Sequence, residues 1–208
     1  ASDVYKRQDE HWRCVLSVDP AGRGQDELAW AVLAELNGNM FLLESGGSTL
    51  GYADEVLMHL SKVAKKWEVN YVVAESNMGD GMFSALLKPH LMREHPVTIE
   101  EVRHNTRKEQ RLCDTLGPLI QQHRLIVTSK VVKQDYRLHD EDPEHGYSRS
   151  LFFQGSRLTQ ERACLSFDDR LDALAIAVGF FVESAALDQQ VQRRARACLL
   201  YTSPSPRD

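Results

Sequence analysis

The chain has 208 residues, of which 42% are hydrophobic and 26% charged, and its formal net charge is −5. This length and composition are typical of one globular domain with its own core, and no run approaches the roughly 18 apolar residues of a membrane span. Four scattered cysteines without a CxxC pair argue against a disulfide framework or a zinc module, so we expect a reducing cytoplasm. The acidic balance is unlike that of most nucleic-acid-binding domains, which carry a basic surplus.

The apolar patterns of the first 75 residues predict three strands, a helix and a fourth strand. In chain order these elements are Cys14–Asp19, Leu28–Leu36, Met40–Glu44, Tyr52–Trp67 and Tyr71–Glu75. Asn37-Gly38, between the second and third strands, is a strong signal for a hairpin. The first and fourth strands both end in an acid.

The next 50 residues alternate between helix and strand. We predict a helix at Gly81–Glu94, a strand at Val97–Val102, a helix at Lys108–His123 and a short strand at Leu125–Val127. In the second of these helices we expect four residues to face inward: Leu112, Leu116, Leu119 and Ile120. Asp80 is expected to cap the start of the first helix.

The remaining residues are expected to form a polar loop, a short segment and a final helix. Lys133–Arg149 is polar, and its HDEDPEH stretch is more typical of an exposed loop than of a metal site. Leu151–Phe153 is the short segment, and Ser166–Phe181 is an apolar helix with acids in its first turn. The order of elements predicts an α/β fold with a mixed sheet flanked by helices.

Acids at three separate points of the chain suggest a metal site. If the first and fourth strands are neighbours, Asp19 and Glu75 face one crevice at their carboxyl ends. In the late helix, Asp168 fits an N-cap, but Asp169 and Asp172 share a face and need a cation nearby. Oxygen ligands favour Mg²⁺ or Mn²⁺, and two such ions can activate water for phosphodiester hydrolysis. Taken alone, Asp19 before Pro20 fits an ordinary turn equally well.

Several blocks together resemble the nuclease domain of tailed-phage terminase large subunits. They are SVDPAGRGQDELAWAV, AESNMGDGMF, KEQRL followed by HRLIV, and QGSRLTQERACLSFDDRLDALA. The resemblance implies a ribonuclease-H-like sheet of five or slightly more strands, and a metal-dependent endonuclease that cuts concatemeric double-stranded DNA during packaging. It also implies that Asp19, Glu75 and Asp169 are catalytic metal ligands, with Asp172 a possible fourth, around two Mg²⁺ or Mn²⁺ ions.

The sequence departs from that family at two points. Phe167 stands where most relatives have histidine, and no GxxxxGK[ST] motif is present, so we expect the ATPase domain to lie upstream in a longer protein. The ends resemble translated sequencing adapters, so we expect residues 1–10 and 197–208 to be non-native tails and 11–196 to be the nuclease domain. The resemblance implies the portal protein, the small terminase subunit and that ATPase domain as partners, with no membrane, in the cytoplasm of the infected bacterial host.

Basic side chains near the predicted site are candidates for phosphate contacts. Arg107, Lys108 and Arg111 lie at the start of a helix, and Arg157 and Arg162 form a second group before the last helix. A solvated charged face is the alternative for both groups. Two other functions also remain open: another ribonuclease-H-like nuclease, such as a junction resolvase or integrase, and an inactive module that docks DNA or portal.

Overall fold

The computed structural model describes residues 13–20, 26–76 and 81–202; for residues 188 and 191–202 it describes the backbone alone. The strands within these ranges are β1 (Arg13–Asp19), β2 (Leu28–Leu36), β3 (Asn39–Ser48), β4 (Tyr71–Glu75), β5 (Thr98–Val102) and β6 (Leu125–Val127). The helices are α1 (Asp54–Trp67), α2 (Met82–Glu94), α3 (Lys108–Gln121), α4 (Ser129–Glu141), α5 (Gly146–Arg149), α6 (Leu151–Arg157) and α7 (Asp169–Thr202). Asp80, the predicted cap, lies outside the described residues.

The strands form one sheet in the order β5-β4-β1-β2-β3-β6. β1, β4 and β5 are mutually parallel, and β2 pairs antiparallel with both β1 and β3. The mixed sheet and the predicted position of each strand are confirmed, as is the neighbouring placement of β1 and β4. The carboxyl ends of β1 and β4 therefore meet at one edge of the sheet.

Helices cover both faces of this sheet, which explains why β1 and β2 are apolar without interruption. On one face, α1 and α2 pack against alternate residues of β1 such as Leu16 and Val18. On the other face, α3 and α7 pack against β2, where Ala29 and Ala31 meet the small residues Ala173 and Ala177 of α7. Small side chains on both partners let α7 lie close to the middle of the sheet.

The hairpin between β2 and β3 follows its turn residues. Asn37 and Gly38 have φ values of 51° and 79°, the left-handed geometry that a two-residue hairpin turn with the right-handed twist requires. β3 then continues to Ser48, four residues beyond its predicted end. This extension brings Gly46 and Gly47 alongside the start of β2.

The prediction of a loop at Lys133–Arg149 was wrong. Ser129–Glu141 forms α4, Gly146–Arg149 forms α5, and the predicted short segment is the start of α6. The residues that α4 buries are Val131 and Asp135, so its inward face carries a charge and shows no apolar stripe. Asp135 accepts hydrogen bonds from the amide nitrogens of Leu151 (2.8 Å) and Phe152 (3.0 Å), which fixes the first turn of α6.

Ile120 was wrongly predicted to face inward. Leu112, Leu116 and Leu119 are buried, but Ile120 is 54% exposed. At 100° per residue it lies at the edge of the stripe formed by the three leucines, and α3 buries only that narrow stripe. Within the described ranges, every helix falls short of the combined length and apolarity that a membrane span requires.

Candidate metal centre

The carboxyl ends of β1 and β4 supply the first two acids of the site. Val18 pairs with Ala74 across these strands, so the residues that follow, Asp19 and Glu75, are neighbours. Both side chains lie on the α7 face, because side chains alternate along a strand and Val18 and Ala74 pack on the opposite face. The predicted convergence of Asp19 and Glu75 follows from this register.

The first turn of α7 brings two more acids to the same place. Asp168 lies at the N-cap position, where its carbonyl accepts the first helical hydrogen bond from the amide nitrogen of Asp172 at 2.8 Å. Asp169 and Asp172 follow on the side that faces the sheet, and both are buried. Together with Asp19 and Glu75 they line one cavity of about 250 Å³.

Three of these four carboxylates form a tight group. Asp19, Glu75 and Asp172 each offer one oxygen atom, and the three atoms lie within 4.8 Å of one another. Asp169 lines the same cavity but is outside this group; its Oδ2 accepts a hydrogen bond from the amide nitrogen of Glu27 at 3.3 Å. The inner group therefore contains Asp172, which the resemblance implied only as a possible fourth ligand.

The electrostatics of the cluster favour a bound cation. Burial raises the pKa of Asp19 well above its ordinary value, and the negative charges of Asp172 and Glu75 raise it further. Burial also raises the pKa of Asp169, to about 6. Carboxylates that repel each other in this way are stabilised by a divalent ion, and a donor set made only of oxygen atoms fits Mg²⁺ or Mn²⁺.

Two of the predicted DNA-binding residues turn into this site. The Nζ atom of Lys108 lies 2.8 Å from Asp168 Oδ1 and 2.9 Å from Asp172 Oδ2, and Arg111 donates to Asp172 Oδ1 at 2.5 Å. Burial lowers the pKa of Lys108, but the negative charges of Asp172, Asp168 and Asp19 outweigh burial and raise that pKa overall. In this state the two basic side chains partly neutralise the cluster.

The other predicted DNA-binding residues lie outside the cavity lining. Arg107 donates to the carbonyl oxygen of Gln160, while Arg157 is exposed and its guanidinium lies 5.7 Å from the ring centre of Phe153. Arg162 is exposed as well. The sequence prediction thus grouped side chains that the structure separates into a buried pair and three surface residues.

The sequence prediction missed further residues of the site. His104 lines the cavity, and its Nδ1 lies 3.2 Å from Glu75 Oε1. Asp26 and Thr106 also line the cavity. A lone histidine after a predicted strand carries no distinctive pattern, so its only sequence signal was its position beyond the carboxyl end of β5.

Comparison with known proteins identifies the family. A family profile described as "Terminase Bacteriophage T7, Ribonuclease H-like domain" matches residues 18–125. The chain belongs to this family. The terminase domain is also 43% identical, over 175 residues, to the terminase large subunit of Enterobacteria phage T3; this match covers 84% of the chain and 30% of the T3 protein. The chain therefore spans less than a third of the length of that relative.

Two solved terminase structures share the fold of this terminase domain. The human cytomegalovirus terminase nuclease domain, soaked with manganese and bound to an inhibitor, aligns with a TM-score of 0.58 and 10% identity over 84% of this chain and 86% of that one. The large terminase of a thermophilic bacteriophage gives 0.52 and 14% identity over 82% of this chain and 40% of that one. The predicted ribonuclease-H-like fold is thereby confirmed, with six strands.

Proposed function

We propose that this terminase domain is a metal-dependent DNA endonuclease, which hydrolyses phosphodiester bonds in concatemeric double-stranded DNA during genome packaging. The observation that carries the proposal is the group formed by Asp19, Glu75 and Asp172, whose oxygen atoms come from three separate elements and lie within 4.8 Å. Bringing these charges together is costly without a cation. The likeness to a phage terminase large subunit supports the packaging context.

The acids would hold two Mg²⁺ or Mn²⁺ ions. Asp19, Glu75 and Asp172 form the inner set of ligands, and Asp169, on the wall of the same cavity, is available to a second ion. The bound ions would supply an activated water and stabilise the leaving oxygen. The carboxylates orient these ions against β1, β4 and α7, and no side chain forms a covalent intermediate.

Basic side chains would hold the DNA backbone. Lys108 and Arg111 already lie at the cluster, so they can pair with a phosphate once divalent cations neutralise Asp172. Arg107, Arg157 and Arg162 would contact phosphates farther along the duplex without sequence readout. Such local basic groups reconcile DNA binding with the net charge of −5.

The setting of the reaction is also part of the proposal. We infer that the domain acts in the cytoplasm of the infected bacterial host. Its partners there would be the portal protein, the small terminase subunit and an ATPase domain of the same polypeptide. These partners follow from membership of the terminase family and from the short part of the T3 protein that the chain covers.

Cleavage of supercoiled plasmid by the purified chain tests the proposal. We expect nicked and linear products with Mg²⁺ or Mn²⁺, none with EDTA, and almost none from Asp19→Asn. Glu35→Gln is the matched control, because Glu35 lies at the opposite end of β2 and pairs with Arg13. Absence of cleavage with either metal would favour a docking module, and a strong preference for branched junctions would favour a resolvase.

A further inference from the structure

A buried ion pair lies directly beside the acidic cluster. Arg170 donates through Nε to Glu27 Oε2 at 3.0 Å and through a terminal nitrogen to Glu27 Oε1 at 3.2 Å. The two side chains are only 6% and 7% exposed. Desolvating two charges offsets most of their attraction, so such a pair is weak evidence of added stability. Its two-point geometry, however, fixes the orientation of both groups.

The pair joins β2 to the turn that carries the acids. Glu27 immediately precedes β2, and Arg170 lies in the first turn of α7 between Asp169 and Asp172. The amide nitrogen of Glu27 also donates to Asp169 Oδ2 at 3.3 Å. Glu27 therefore contacts two consecutive residues of α7, one through its backbone and one through its carboxylate.

The carboxylate of Glu27 has little freedom to move. A Cβ atom added at Gly47 of β3 would lie 2.6 Å from Glu27 Oε2, so the carboxylate packs directly on the backbone of the next strand. Arg170 closes its other side. β2, β3 and α7 thus meet at this one side chain, next to the metal centre.

The orientation of α7 decides whether its acids reach the cluster. A carboxylate on a helix lies roughly 5–6 Å from the helix axis, so a 20° rotation would move it by about 2 Å. Metal–oxygen distances tolerate about 0.2 Å. A contact that prevents small rotations of the first turn is therefore needed for Asp169 and Asp172 to act with Asp19 and Glu75.

We propose that Glu27 and Arg170 are positioning residues for the metal centre. They hold the first turn of α7 so that Asp169 and Asp172 meet Asp19 and Glu75 in a geometry that binds a divalent cation. This inference rests on the proposed function, since it requires that the cluster binds metal.

Binding of Mn²⁺ to the DNA-free chain, measured by calorimetry, tests this role together with urea unfolding in EDTA. The double variant Glu27→Met/Arg170→Met replaces the pair by apolar side chains of similar size, which commonly preserves stability. We expect it to fold and to bind Mn²⁺ about 10-fold to 100-fold more weakly than the parent, as for other residues that orient metal ligands. Arg13→Met/Glu35→Met, which removes an ion pair from the other end of β1 and β2, should bind like the parent.

A second variant keeps the test decisive if the double variant does not fold. Arg170→Lys retains the charge but loses the two-point contact, so we expect it to fold and to bind Mn²⁺ more weakly. Parent-like affinity in whichever of these variants folds would overturn the positioning role. A parent that binds no Mn²⁺, or Asp19→Asn binding as tightly as the parent, would instead overturn the proposed function, and the positioning role with it.

Discussion

Replacing Lys108 by methionine should strengthen metal binding in the absence of DNA while weakening DNA cleavage. The ammonium group of Lys108 lies 2.9 Å from Asp172 Oδ2, an oxygen that belongs to a proposed metal ligand. A divalent cation that binds Asp172 must displace or repel this group. Methionine has a similar length and no charge, so the competitor is removed with little change in packing.

The size of the effect follows from the exposure of the contact. A hydrogen bond between charged groups contributes about 1.5–3 kcal/mol when sheltered, and an exposed ion pair about 0–1 kcal/mol. The Lys108 side chain is 38% exposed and that of Asp172 only 2%, which places their contact near 1–2 kcal/mol. Since about 1.4 kcal/mol corresponds to a tenfold change, Lys108→Met should bind Mn²⁺ about 5-fold to 30-fold more tightly.

Calorimetric titration with Mn²⁺ measures this change. Lys65→Met is the matched control, because Lys65 also pairs with a carboxylate, Glu94 at 3.0 Å, but on the outer surface of α1 and α2. It makes the same change in net charge and should leave the metal affinity nearly unaltered. The reasoning would be refuted if Lys108→Met bound Mn²⁺ no more tightly than Lys65→Met. Plasmid cleavage at saturating Mn²⁺ should still fall in Lys108→Met, because a phosphate contact is lost.

Three further changes test the surrounding structure. Gly47→Ala should lower the free energy of unfolding by about 1–3 kcal/mol, because the new Cβ meets the Glu27 carboxylate. Gly179→Ala in α7 has open space around its Cβ and should raise that free energy by about 0.5–1 kcal/mol; equal urea midpoints for the two variants would contradict this. Asp135→Ala should cost about 2–3 kcal/mol, because two amide nitrogens of α6 lose a charged acceptor, and an unchanged urea midpoint would count against this account. The pKa of Asp169 is raised from 3.8 to about 6 in the fold, so between these values the folded state holds a proton that the unfolded state has released. Asp169→Asn should therefore be more stable than the metal-free parent at pH 8 and lose this advantage towards pH 5, as measured by thermal unfolding in EDTA.

Local patterns were sufficient to predict most of the fold. β1 and β2 are short apolar runs bounded by turn residues, and Asn37-Gly38 specifies its hairpin through backbone geometry alone. These features depend on neighbours in the sequence. The convergence of Asp19 and Glu75 needed only one further step, the pairing of β1 with β4.

Features that depend on distant partners could not be predicted in this way. α4 was missed because one of its inward residues is Asp135, and the burial of that charge makes sense only beside the amide groups of α6. Lys108 and Arg111 were predicted to face DNA, since a basic residue at a helix start shows no preference between a phosphate and a carboxylate. Their contacts with Asp172 follow from the packing of α3 against α7.

The choice between Asp169 and Asp172 illustrates the same limit within a single turn. Positions three apart on a helix differ by only about 60° around its axis, so either acid could lead depending on a modest rotation of α7. In the structure, Asp169 accepts from the amide of Glu27, and Ser17 donates to the carbonyl oxygen of Ala173 at 2.6 Å. With the helix held in this orientation, Asp172 joins Asp19 and Glu75. The order of the ligands is therefore set by the residues that anchor α7 to β1 and β2, and variants of those anchors should change metal binding even where every carboxylate is retained.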